Sequence, residues 1–176
     1  MLRCSKKDFA QNCENKCCNS YIYTMRILMV CLGNICRSPM AAGIANALSA
    51  KHQLGWLVDS AGTSGEHDGE GAHRLAVKVC KNNGIDISEH ISKRFRKVDI
   101  AKYNRIYVMD KNNLRDVKVI AGDAFDDDKI DFLLNDTTLF PDPNVPDPWY
   151  GGEQDFVQVF DLLTKACEQL RIQLQP

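Results

Sequence analysis

A chain of 176 residues, 44% apolar and 26% charged, is long enough for one domain with a buried core and too short for two of ordinary size. Its formal net charge of -1 excludes recruitment of nucleic acid or an acidic membrane by a global field, so any anion must be caught locally. The eight cysteines do not form a secreted disulfide framework. Cys4, Cys13, Cys17 and Cys18 crowd the start, while Cys31, Cys36, Cys80 and Cys167 are scattered, a pattern that suits reduced thiols in a cytoplasmic enzyme.

Residues 1–24 are polar and aperiodic, and are expected to be a disordered N-terminal extension or the product of a start codon assigned too early. Cys13, Cys17 and Cys18 have irregular spacing and no histidine beside them, which argues against zinc. No metal or other cofactor is expected in the chain. The apolar stretch Tyr21 to Leu32 does not read as a secretory signal, because Arg26 interrupts it, Asp8 and Glu14 precede it and no cleavage site follows. No other run approaches the roughly 18 residues needed to span a bilayer, so no membrane insertion is expected.

From Met25 onward, strand and helix signals alternate, and residues 25–176 are read as one domain. An apolar strand at 26–31 leads to Ser38-Pro39, a helix start with proline in its first turn. Met40 to Lys51 is alanine-rich and helical. Trp56 to Ser60 predicts a second strand, ending in the turn Ala61-Gly62-Thr63-Ser64-Gly65. Ala72 to Asn82 predicts an amphipathic helix stopped by Asn83-Gly84. Arg105 to Met109 predicts a third strand and Lys129 to Leu134 a weaker fourth. A proline-rich loop, Phe140 to Gly152, precedes a final helix from Glu153 to Leu170, apolar at 156, 159, 160, 163, 166, 167 and 170. Strands separated by helices imply right-handed crossovers. The expected fold is a three-layer α/β/α domain with a four-stranded parallel sheet.

The segment Val30-Cys31-Leu32-Gly33-Asn34-Ile35-Cys36-Arg37-Ser38-Pro39 carries the chemistry. A cysteine ends a buried strand, five residues turn tightly, and arginine and serine open a helix. Backbone N–H groups in such a turn converge on an anion, and the helix N-terminus adds unpaired donors and its positive dipole end. Gly33 permits positive φ, with Asn34 the next most tolerant residue. Arg37 supplies a planar fork for two phosphate oxygens. The same positive field favours the thiolate of Cys31, which suits attack on phosphorus. Such a reaction also needs an acid for the leaving oxygen. Asp126, Asp127, Asp128, Asp142 and Asp147 all remain candidates, with 126–128 reading as a solvated run and Asp147 favoured because Pro146 and Pro148 stiffen it.

Val30 through Pro39 resembles the signature of the low molecular weight protein tyrosine phosphatases. So do Asp59-Ser60-Ala61-Gly62-Thr63-Ser64-Gly65, Met109-Asp110 with Asn113-Leu114-Arg115, and Asp147-Pro148-Trp149-Tyr150-Gly151, in order and at family spacing from Met25 to the C-terminus. The resemblance implies hydrolysis of phosphotyrosine proteins, or of small aryl phosphates, through a phosphocysteine on Cys31. Arg37 and the loop residues Leu32, Gly33, Asn34, Ile35, Cys36 and Ser38 would bind phosphate. Asp147 would be the general acid, and Ser60, His90 and Asp110 would brace the loop with Asn34. Trp149 and Tyr150 would wall the substrate crevice. A monomer is expected.

Two departures stand out. Glu66, followed by His67, occupies the position where the family carries a crevice aromatic, which predicts repulsion of acidic flanking residues. His73-Arg74-Leu75 replaces the Asp-Pro-Arg element of bacterial members. Two relatives of the same fold are alternatives. A protein-arginine phosphatase typically has threonine where this chain has Ile35, and a thiol-dependent arsenate reductase needs a further redox cysteine pair that Cys80 alone does not supply. Cys36 is expected either to fill the loop or to protect Cys31 from over-oxidation by forming a disulfide with it.

Overall fold

The computed structural model describes residues 25–136 and 138–174. The expected disorder of residues 1–24, and the zinc question attached to their cysteines, fall outside that range. Four strands and five α-helices follow in the order β1 (Met25–Cys31), α1 (Arg37–His52), β2 (Trp56–Gly62), α2 (Arg74–Asn82), α3 (Asp99–Lys102), β3 (Arg105–Val108), α4 (Lys111–Ala121), β4 (Ile130–Phe132) and α5 (Glu153–Gln173). The sheet order is β2-β1-β3-β4, and every pairing is parallel.

The unbroken apolar run of β1 follows from its central place, since both faces of a parallel sheet are covered. Successive side chains point to opposite faces. Ile27, Met29 and Cys31 enter a larger core with α1, α2 and α5, while Leu28 and Val30 enter a smaller one with α3 and α4. Full burial of such a side chain contributes on the order of 1.5–3 kcal/mol, so β1 anchors both layers. Helix α5 buries Phe156, Val159, Phe160, Leu163, Ala166, Cys167 and Leu170, the predicted face. Asp155 Oδ2 accepts the backbone N–H of Gly152 at 2.8 Å, which closes the first turn of that helix.

The differences from the expected elements have local causes. Helix α2 begins at Arg74 rather than Ala72 because His73 is its cap, its Nδ1 accepting the Leu75 N–H at 3.3 Å. Helix α5 runs on past Leu170 to Gln173. Helices α3 and α4 were not foreseen as separate elements. Among the described residues no helix is long and apolar enough to cross a membrane. The reversal of strand order around β1 leaves a crevice at its carboxyl end, where open α/β sheets take ligands.

Candidate active site

Cys31 closes β1 at this crevice, and residues 32–36 turn directly into α1. Asn34 is fully buried with φ +57, so the left-handed residue of the turn is Asn34 rather than Gly33. Its polar groups account for its burial. Nδ2 donates to Ser38 Oγ at 2.9 Å and to Ser60 Oγ at 2.8 Å, and Oδ1 accepts the Lys93 N–H at 2.9 Å. The Asn34 carbonyl accepts from His90 Nε2–H at 2.7 Å. Beneath the turn, Gly62 approaches so closely that a Cβ there would lie 2.7 Å from the Leu32 carbonyl oxygen, leaving no room for any other residue.

The Cys31 sulfur takes the Asn34 N–H at 3.2 Å and lies 3.0 Å from Ser38 Oγ. Asn34 already donates to that hydroxyl, which leaves the Ser38 proton free to point at sulfur. Both groups can therefore donate to the Cys31 sulfur. Neighbouring Cys36 is different. Burial, with the negative charges of Cys31 and Asp147 and against the pull of Arg37, pushes its thiol up to about 12.

Arg37 is 3% exposed, and its guanidinium is divided between two carboxylates. Nη1 donates to Asp110 Oδ2 at 2.6 Å and to the Val145 carbonyl at 3.3 Å, while Nη2 donates to Asp147 Oδ2 at 2.5 Å. Burial works against the charge on Arg37, but Cys31, Asp147 and Asp110 outweigh it and hold the guanidinium above its ordinary range. Asp110 is fixed independently, because its Oδ1 accepts the Asn113 N–H at 2.7 Å and so caps α4. Asp147 lines the crevice. Asp142 instead closes a turn of its own, accepting from the backbone and side chain of Asn144 at 3.0 and 2.7 Å. Asp126 accepts from the Asp128 N–H at 3.1 Å, and none of residues 126–128 lines the crevice.

The crevice has a volume of about 350 Å³, with Cys31, Cys36 and Arg37 at the floor and Leu32, Gly33 and Ile35 around the loop. Ser64, Glu66, His67, Asp147, Trp149 and Tyr150 complete the lining. Tyr150 is 97% exposed. Ser60, His90 and Asp110 lie behind the loop, not in this lining. The residue that sequence reasoning passed over is His67. Its ring sits 5.4 Å from that of Trp149 and its Cδ2 would meet a Cβ on Gly33 at 2.9 Å. The available signal was a histidine next to Glu66 with Glu70 three residues on. Among the described residues no group of three His, Cys, Asp or Glu side chains is arranged to hold a metal.

Residues 26–176 match the family model described as low molecular weight phosphotyrosine protein phosphatase. A low molecular weight protein-tyrosine-phosphatase of Streptomyces coelicolor is 34% identical over 151 residues, covering 84% of this chain and 92% of the relative. The human low molecular weight phosphotyrosine protein phosphatase is 33% identical over 146 residues, covering 82% and 92%. The crystal structure of a protein tyrosine phosphatase from Entamoeba histolytica superposes with a TM-score of 0.77 at 36% identity, over 85% of this chain and 96% of that one. A match from the first residues of β1 through α5, in sequence and in fold, makes this chain a member of the low molecular weight protein tyrosine phosphatase family.

Proposed function

We propose that the chain hydrolyses phosphotyrosine in proteins, and small aryl phosphates, in two displacements at phosphorus. The observation that carries this reading is the convergence of the Cys31 sulfur, the Arg37 fork and the Asp147 carboxyl on one crevice. The Cys31 thiolate attacks in line with the leaving oxygen, and the loop amides and Arg37 bind the equatorial oxygens. Phosphate on the fork competes with Asp147 for Nη2 and releases that carboxyl toward the leaving group. Asp110, capped against α4, keeps Arg37 aligned meanwhile. Protonated Asp147 gives its proton to the departing phenolate, and as a carboxylate it then takes one from the water that cleaves the phosphocysteine.

The phosphate-binding roles extend to Leu32, Gly33, Asn34, Ile35, Cys36 and Ser38, with Ser60 and His90 bracing the loop through Asn34. Ile35 at the crevice favours an aryl ring over the hydrogen-bonding needs of phosphoarginine. Cys80 and Cys167 are buried in the large core, so neither stands at the crevice as the redox partner an arsenate reductase needs. We place the enzyme in the cytoplasm as a monomer.

The test is kinetic. Cys31→Ser and Arg37→Ala are each expected to abolish turnover of phenyl phosphate. Asp147→Ala is expected to lower its kcat/KM by roughly 10²–10⁴-fold, and to cost less with para-nitrophenyl phosphate, whose leaving group scarcely needs a proton. Activity surviving in Cys31→Ser would overturn the nucleophile. An equal loss on both substrates in Asp147→Ala would remove Asp147 from the acid's role.

A further inference from the structure

Trp149 is the link between the crevice wall and Asp147, because its backbone N–H donates to Asp147 Oδ1 at 3.1 Å. Two imidazoles pack against its indole. The His67 ring lies 5.4 Å away at an interplanar angle of 50°, and the His73 ring meets it edge-on at 5.4 Å and 62°. Each imidazole is tied to the phosphate loop. The His73 backbone N–H donates to the Ile35 carbonyl at 2.7 Å, and its ring stacks at 4.9 Å and 13° on Phe156, which is fully buried in α5. Burial, helped by Arg74, holds the His73 ring below its ordinary pKa, so its Nδ1 stays an acceptor for the cap of α2. His67 Nδ1–H donates to Glu70 Oε2 at 2.9 Å. The Glu70 carbonyl accepts the Ser92 N–H at 2.8 Å, and the Ser92 hydroxyl donates to the Gly33 carbonyl at 3.1 Å.

We propose that His67 and His73 are positioning residues that together grip Trp149 and so fix the Asp147 carboxyl over the phosphate loop. Neither ring is asked to exchange a proton with substrate. The loop from Phe140 to Gly152 has no regular structure of its own, and a small misplacement of a reacting group can cost about 10²-fold. An aromatic grip anchored at Ile35 and at Gly33 ties that loop to the phosphate site. The inference rests on Asp147 as the acid.

The experiment compares kcat/KM for phenyl phosphate and para-nitrophenyl phosphate in His67→Ala, His67→Phe and His73→Asn. Asparagine keeps a cap for α2 but removes the ring. The phenyl to para-nitrophenyl ratio is expected to fall about tenfold in His67→Ala and His73→Asn. It should recover largely in His67→Phe, and show no further fall when either ring is removed from Asp147→Ala. An unchanged ratio, or a fall of the same size in the Asp147→Ala background, would overturn the inference while leaving the acid assignment intact. An unchanged ratio in Asp147→Ala itself would remove both. Should His73→Asn fail to fold, His67→Ala and His67→Phe, on the surface segment 66–70, decide the matter alone.

Discussion

At the scale of single residues, two readings of Cys36 make different predictions. In one it only fills the loop; in the other it answers oxidation of Cys31, five positions before it, by peroxide to sulfenic acid. Condensation of that acid with the Cys36 thiol would give a Cys31–Cys36 disulfide and water, stopping the irreversible steps beyond. The attacking group must be a thiolate, yet burial, the largest of the causes that raise the Cys36 thiol, persists after Cys31 has been oxidised. Capture should therefore be slow at neutral pH and quicken about tenfold for each pH unit. Cys36→Ser is expected to keep substantial activity but to lose its recovery when dithiothreitol follows peroxide. Mass spectrometry that finds no such disulfide in the wild type, or a mutant that recovers equally well, would leave Cys36 as filler. The approach of Cys31 and Arg37 is legible in the sequence because strand, turn and helix are contiguous there. The grip on Trp149 is not, because it joins residues distant in the chain and depends on how α2 and α5 pack.

Among the elements, β1 and α5 read easily, since each carries the period of its own buried surface. Helix α4 hides behind its opening, Lys111-Asn112-Asn113, and turns Leu114, Val117, Ile120 and Ala121 to the core late in its length. Asp110 three residues before Asn113 was the cap signal that would have found it. The start of α2 and the phosphate loop each lean on an imidazole whose pKa the fold lowers. Burial is the main cause that lowers His73, with Arg74 adding to it. Burial also lowers His90, with Lys93 adding, against the opposing pull of the Asn34 carbonyl and Asp59. Below the ordinary value of 6.5 the unfolded chain binds protons that these native rings refuse. Their stabilising effect is thus complete above about 6.5 and is lost as pH falls through that value toward the lowered native ones. Asp59 does not confuse this window, since the pull of Lys93, Ser60 and Tyr103 outweighs its burial and keeps it below its ordinary 3.8. The urea midpoint is expected to drop between pH 7.5 and 5.5, and His73→Asn to flatten the drop. A midpoint unchanged over that range would show that neither ring is held neutral by the fold.

On the scale of the whole molecule, the crevice and the residues that support it draw on every layer. Cys31 comes from β1, Arg37 from α1, Asp110 from the end of β3, His73 from the start of α2, and Asp147 from the loop before α5. The three-layer architecture was legible because strand and helix signals alternate along the chain, and the connections between parallel strands leave few topologies. All of these parts lie after residue 24. Met25 already pairs with Trp56 in the sheet, and the family match begins at residue 26. Among the described residues, those from Met25 onward hold both cores, the four-stranded sheet and each group assigned to the reaction. Removing residues 1–24 is expected to leave a cooperative thermal transition within a few degrees of the full chain, and kcat/KM for para-nitrophenyl phosphate within about twofold, as trimming of chain termini often allows. The comparison needs melting curves and kinetics of the two proteins side by side. A truncated protein that is insoluble or melts without cooperativity would make residues 1–24 part of the folding unit. One that melts normally but loses activity would make them part of the site.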